Sequence, residues 1–148
     1  MLTNIFVNLP TEDLERSKAF YTALGWSINP MFTDDNAACV VIDENVYFMV
    51  LKREFFATFT KKQVTDPRTH AQALIALSCD SREAVDEIVR RGLAAGGSEP
   101  TEPQDHGFMY SRDLDDPDGN GVEFLYMAPE AAEKGPDAYM AEHATTES

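Results

Sequence analysis

Glu123 is the side chain of this sequence best placed to do chemistry. It stands alone among Val122, Phe124 and Leu125 in a segment that alternates as a strand does, and by that register its neighbours on one face are apolar. Desolvation on such a face raises a carboxylate pKa and suits it to general acid or base work. The alternatives are a carboxylate paired to Arg112, one hydrogen-bonded to a tyrosine, or one at a wetter cavity mouth. His106 lies between Asp105 and Gly107, just ahead of an extended segment. A histidine beside an aspartate is either a tuned acid/base or a surface residue of a turn. His70 and His143 carry weaker claims. Cys39 and Cys79 sit inside apolar runs with no close Cys or His spacing, which reads as buried, inert thiols rather than a metal site. Ala95-Gly96-Gly97 lacks the Lys-Ser/Thr of a phosphate loop, and no Gly-x-Ser-x-Gly elbow occurs, so nucleophilic hydrolysis finds no support.

The elements that must position these groups repeat. Ile5 to Leu9 reads as a strand, and a helix starting at Thr11 carries the stripe Leu14, Ser17, Phe20, Tyr21, Leu24 before Gly25 stops it. Trp26 to Phe32, Ala37 to Ile42 and Val46 to Leu51 come next as strands, separated by Asp34-Asp35-Asn36 and Asp43-Glu44-Asn45. The pattern restarts at Leu74 to Cys79, with a helix from Ser81 through Val85, Val89 and Leu93 to Gly96. Extended segments then run from Glu99 to Pro103, Phe108 to Arg112 and Val122 to Met127, with Asp116-Pro117-Asp118-Gly119 as a turn. A βαβββ unit therefore appears twice, at about residues 3–52 and 72–127. The connector, 53–71, holds Phe55, Phe56, Phe59, Lys61 and Lys62, and is too apolar for a pure linker; its aromatics either cap the core or form a lid. Residues 1–127 read as a single domain and 128–148 as a tail, with a short helix after Pro136 and with Tyr139 and Met140 available to a partner.

A chain of 148 residues with 43% hydrophobic and 26% charged residues can bury a core without staples. No apolar run reaches a membrane span, and Met1-Leu2-Thr3-Asn4 does not open as a signal peptide does, so a cytoplasmic protein is expected. The net charge of −14 repels phosphate backbones and anionic lipid, which argues against nucleic-acid or membrane partners. Residues 1–70 carry 7 basic and 9 acidic side chains and residues 71–148 carry 5 and 17, so the excess lies in the second half.

The series Ile5-Phe6-Val7-Asn8-Leu9-Pro10, Asp13-Leu14-Glu15-Arg16-Ser17-Lys18-Ala19-Phe20-Tyr21 and Leu24-Gly25, with Asp116-Pro117-Asp118-Gly119 and Glu123 later, resembles the vicinal oxygen chelate superfamily. That group includes glyoxalase I, bleomycin-resistance proteins and extradiol dioxygenases. Phe32 to Cys39 and Gln104 to Tyr110 look closest to the branch labelled predicted lactoylglutathione lyases. The resemblance implies an α+β fold in which two tandem βαβββ modules form a curved mixed sheet around a shared cavity. It also implies a homodimer, since open sheet edges favour pairing.

Metal-dependent relatives carry ligands on the first and last strand of each module, projecting into the cavity. Register places Phe6 and Asn8 toward the cavity on the first strand, and Leu74, Ala76 and Ser78 on its counterpart. Glu123 and Leu125 face the same way on the last strand. Aligning Asn45 to Phe48 with Asn120 to Glu123 makes Phe48 the fourth position. The set Phe6, Phe48, Leu74 and Glu123 offers one carboxylate where zinc, nickel, iron or manganese needs several N or O ligands. No metal or other cofactor is therefore expected, a divalent ion being the alternative. Phe6, Phe48, Phe108 and Tyr110 either line a pocket for a planar or aromatic ligand or fill it. The leading expectation is a metal-free small-molecule binding protein with a pocket of Phe6, Asn8, Phe48, Leu74, Ala76, Phe108, Tyr110 and Leu125. The second is a lactoylglutathione lyase-like enzyme, or another lyase or isomerase, using Glu123 with His106.

Overall fold

Two capped helices organise the chain. The Asp13 side chain accepts the Arg16 amide at 3.0 Å and starts α1 (Leu14–Ala23). Ser81 accepts the Ala84 amide at 3.0 Å and starts α3 (Arg82–Ala94). The computed structural model describes residues 2–144; Met1 and the last four residues of the expected tail, 145–148, lie outside them. Around α1 stand β1 (Ile5–Thr11), β2 (Ser27–Asn29), β3 (Ala37–Asp43) and β4 (Val46–Lys52), in the sheet order β1-β4-β3-β2. After α2 (Arg53–Phe56), β5 (Ile75–Ser78), β6 (Gln104–Asp105), β7 (Met109–Asp115) and β8 (Gly121–Met127) surround α3 in the order β5-β8-β7-β6. In both sheets the first strand runs parallel to the last and the other pairs are antiparallel. The expected α+β repeat is present as two separate four-stranded sheets. The helices α4 (Pro129–Lys134) and α5 (Pro136–His143) close the chain, and Met140 rests against Gly107.

Departures from the expected boundaries have local causes. Trp26 to Phe32 shortens to β2 because Pro30 has no N–H to give and opens a 3-10 turn capped by Asn29. Glu99 to Pro103 is not a strand: Pro100 and Pro103 interrupt it, Ser98 alone bridges to Asp115, and pairing starts at Gln104. Helix α1 begins after Asp13 rather than Thr11, because Thr11 ends β1 and gives its hydroxyl proton to Asp118 at 2.6 Å.

Both helices pack between the two sheets. Phe20, Tyr21 and Leu24 of α1 share one core with Val85 and Val89 of α3, Phe48 and Val50 of β4, and Val122 and Phe124 of β8. Trp26 ties the modules, stacked on Tyr21 at 5.9 Å and lying 6.2 Å from Phe124. Gly92 lets α3 close on β7, where a Cβ would collide with Leu114. Phe48, assigned above to the cavity, is fully buried here, edge-on to Tyr21 and Trp26. Its partner across the ladder is Val7, whereas Asn8 faces Met49 and Ala76 faces Glu123. Asn8 and Ala76 are counterparts on the two first strands, so the residue matching Glu123 is Met49.

A polar clamp joins the modules. The turn between β7 and β8 inserts Asp118 at the start of α1, where it accepts Thr11 Oγ1, Ser17 Oγ, the Glu12 amide and Arg16 at 2.6–3.2 Å. Asp116 accepts the Tyr21 hydroxyl at 2.6 Å, and also the Asp118 and Asn120 amides. Burial, then the Asp116 carboxylate, pushes the Tyr21 hydroxyl well above its usual range, so it remains a donor.

Candidate functional site

Each sheet has one face on its helix and one turned away, and the outward faces carry the candidate residues. On the first module this face presents Phe6, Asn8, Tyr47, Met49 and Leu51, together with Ala37 and Cys39. The connector folds back over it. Phe56 buries itself against Ala37 and Leu51, with Met49, Phe55 and Val64 around them. Arg53 fastens the far end of the connector by donating to the Val64 and Thr65 carbonyls at 2.8 and 3.1 Å. Phe59 packs edge-on to Phe55 at 5.0 Å and is otherwise exposed.

Beneath this roof lies a cavity of about 370 Å³. Leu51 and Asn8 form its base, Phe56, Phe59 and Val64 its walls, and Lys62 and Gln63 its lip. The volume lies within the range of about 300–1,000 Å³ of small-molecule sites, and the lining sets Leu51, Phe56, Phe59 and Val64 beside the polar Asn8, Thr60, Lys62, Gln63, Thr65 and Gln72. A second cavity, of about 430 Å³, adjoins it along the seam between β1 and β5 and shares Asn8, Thr65 and Gln72 with it. That larger space is walled by Pro10, Ala71, Ala73, Leu74 and the Gly119 turn and has no Phe, Tyr or Trp on its walls, so the roofed cavity is the stronger ligand site.

The outward face of the second module has no aromatic roof and is more polar. Glu123 lies beside Asp113 and Ala76 in the ladder, and with Glu102, Gln104 and Ser111 it borders a depression of about 80 Å³. The surroundings of Glu123 are mixed rather than apolar, because β7 brings Ser111 and Asp113 to the face that Ala76 and Leu125 share with it. Arg112, the expected structural partner, points to the helix side, where it holds Glu99 at 2.8 and 3.0 Å and Asp86 at 2.9 Å.

Tyr110 is also on the helix side, its hydroxyl donated to Asp86 at 2.6 Å and its ring beneath Arg82. Its place in the pocket is therefore corrected, for the same reason as Phe48: each is one residue out of phase with the outward set. Leu125, Ala76 and Leu74 do share the outward face with Glu123, Leu74 being 93% exposed. Phe6 stacks on Tyr47 at 4.8 Å, on the outward face of the other module.

His106 is exposed, with Nε2 3.4 Å from Gln104 Oε1 and its ring stacked at 6.1 Å on Phe108. Asp105 does not orient it. Two hydrogen bonds from Arg82, then one from the Gly107 amide, hold the Asp105 carboxyl down at about 2. The His106 amide bonds Met109, which pairs with Met127. Four residues of strand separate Met127 from Glu123, about 13 Å at the rise of an extended chain. The structure does not bring these two groups together. Cys39 is buried in β3 and Cys79, just past β5, is half-buried, and burial pushes both thiols up.

The corrected ligand positions, Phe6, Met49, Leu74 and Glu123, supply one carboxylate, one thioether and two hydrocarbons. That donor set does not fit the metals of the metal-dependent relatives. Among the described residues no group of three or more His, Cys, Asp or Glu is arranged to hold an ion. The roof residues Phe56, Phe59, Lys62 and Gln63 escaped the sequence-based site; their signal was the aromatic, lysine-containing composition of the connector. The clamp aspartate had only a turn motif to announce it, since its partners lie 101–107 residues away.

Residues 3–43 match the family described as bleomycin resistance protein-like N-terminal. No curated protein matches the chain. Among solved structures, hypothetical protein SA1046 from S. aureus is 26% identical, with a TM-score of 0.71 over 85% of this chain and 94% of that one. A glyoxalase/bleomycin resistance protein from Albidiferax ferrireducens T118 is 25% identical, with a TM-score of 0.63 over 83% of this chain and 97% of its own. A glyoxalase/bleomycin resistance protein/dioxygenase family enzyme from Burkholderia phytofirmans PsJN, 21% identical, shares the fold at a TM-score of 0.68 over 83% of this chain and 97% of its own. The repeated βαβββ path, the matched first module and these likenesses make the chain similar in fold to the glyoxalase/bleomycin resistance protein/dioxygenase proteins, the vicinal oxygen chelate superfamily that its sequence resembles.

Proposed function

We propose that the protein binds a small apolar or aromatic molecule, without a metal ion, in the roofed cavity of the first module. The observation that carries this reading is the connector itself: Phe56 and Phe59 cover the outward face and leave about 370 Å³ beneath them. A thermal-shift screen of neutral and charged aromatic compounds tests it, because a ligand of the folded state raises the midpoint by mass action. A hit whose shift disappears in Phe59→Ala supports the reading. Hits that persist unchanged in that variant place binding elsewhere and overturn it.

The partner in this proposal is a second copy of the chain. β1 and β5 are edge strands, and Ile5 and Phe6, each 53% exposed, together with Leu74 lie on or beside them. Exposed apolar edges of this kind are usually covered. Light scattering at micromolar concentration reads the outcome directly, a monomer mass removing the dimer. No helix among the described residues is long and apolar enough to cross a membrane.

A lyase or isomerase built on Glu123 is the lesser reading, since that carboxylate faces an open polar surface and stands far from His106. Turnover of methylglyoxal with glutathione, with or without nickel or zinc, that is lost in Glu123→Gln would reinstate it.

A further inference from the structure

The roofed cavity has a charge signature that the rest of the molecule lacks. The chain carries twelve Lys and Arg residues against 26 acids. Eight of the twelve are paired with a carboxylate. Among the described residues the four without such a partner are Lys52, Arg53, Lys61 and Lys62, all on one stretch at the end of β4 and in the roof. Glu54 is the single acid within residues 52–62. In a protein this acidic, cations left over by chance would be scattered and quickly matched by a neighbouring carboxylate. Arg53 has a structural task, holding the Val64 and Thr65 carbonyls. Lys62 has none: it is exposed on the lip of the cavity, its backbone fixed by the Lys62 amide on Thr60 Oγ1 at 3.0 Å.

Resting on the binding reading above, we infer that the ligand is an aromatic anion, whose ring lies against Phe56 and Phe59 while its carboxylate, sulfonate or phosphate meets the Lys62 ammonium. Gln63 and Asn8 reach the same cavity, and their side-chain amides make no hydrogen bond among the described residues, so they are available to the polar end of the ligand. The Debye length of about 8 Å at physiological salt confines the long-range repulsion of the −14 net charge, so the lysines at the lip set the local potential. A cation with the same aromatic body meets the opposite field and is rejected.

Fluorescence titration with 8-anilinonaphthalene-1-sulfonate and with N-phenyl-1-naphthylamine, which keeps the aryl body and lacks the sulfonate, separates charge from shape. Lys62→Gln should weaken the sulfonate about fivefold at low ionic strength and change the neutral probe by less than about twofold, while Lys62→Arg restores the sulfonate. Phe59→Ala should weaken both probes. A Lys62→Gln variant that leaves the sulfonate unchanged, or weakens both probes alike, overturns anion recognition and leaves the cavity standing. If neither probe binds, or neither responds to Phe59→Ala, the cavity reading itself fails and takes this inference with it.

Discussion

The two modules trace one chain path and turn very different faces outward. In the first, Leu51, Phe56 and Phe59 border a roofed space that also meets Asn8 and Gln63 and has Lys62 at its lip. In the second, the matching face holds Ser111, Asp113 and Glu123 in a shallow polar depression. The strands cannot account for this, since their pairing and order are the same. The difference arises where the chain leaves each sheet: β4 runs into an aromatic connector that folds back, while β8 runs into α4 and α5, which turn toward the Gly107 loop. The two scaffolds share one chain path, and the exit from the sheet decides which of them is roofed.

A second asymmetry lies in the turns before β4 and β8, and it gives the largest expected effect. The turn of the second module plants Asp118, 2% exposed, among four donors of the first, whereas Asp43 of the first module is exposed and caps only its own turn at Glu44. Asp118→Ala strands Arg16, Thr11 and Ser17 and should cost about 4 kcal/mol in urea unfolding. Asp43→Ala should stay within about 0.5 kcal/mol. Equal losses for the two variants would show that the turns are equivalent after all.

Next in size is Phe56→Ala, which empties the roof cluster and should cost about 3 kcal/mol. Amide exchange sharpens the contrast, because the lost protection should fall in β3, β4 and the connector and leave β7 and β8 as they were. Leu74→Asp probes the other face. Its side chain is 93% exposed, so folding stability should move by no more than about 0.5 kcal/mol while the dimer mass proposed above disappears.

The repeat and the phase of three strands were readable without coordinates. In β1, β5 and β8 apolar and polar residues alternate, or a helix start fixes the register, so Asn8, Ala76 and Glu123 were placed on the correct face. β4 defeats that logic: Val46 to Leu51 carries no charged side chain, and the outward Tyr47, Met49 and Leu51 are large and hydrophobic like the inward Phe48 and Val50, so no alternation of polarity marks the phase. Aligning Asn45 with Asn120 puts Phe48 one residue out of phase, toward the cavity. Tyr110 failed for a related reason, since its hydroxyl is satisfied by Asp86 on α3, a contact between residues 24 apart. The roof was harder still. Its closure depends on Arg53 reaching carbonyls 11 and 12 residues later, which no local pattern encodes.

The smallest effect contrasts a paired charge of the second module with the unpaired lip lysine of the first. Asp105 of the second module, held by Arg82 at 2.8 and 3.1 Å, has its carboxyl lowered from 3.8 to about 2. A carboxylate depressed in the folded state adds stability that is complete above its unfolded value and is lost as pH falls through the folded one. The contribution should therefore fade between pH 4 and pH 2, and its side chain, 56% exposed, keeps it below about 1 kcal/mol through solvent screening. Asp105→Asn should lose that much at neutral pH and converge on the parent protein near pH 2. Lys62, with no carboxylate partner on the rim of the first module, should give a Lys62→Gln difference that does not vary with pH over the same range. A pH-dependent loss in Lys62→Gln would mean that the lip lysine is already paired in solution, and the distinction between a satisfied charge and a waiting one would be gone.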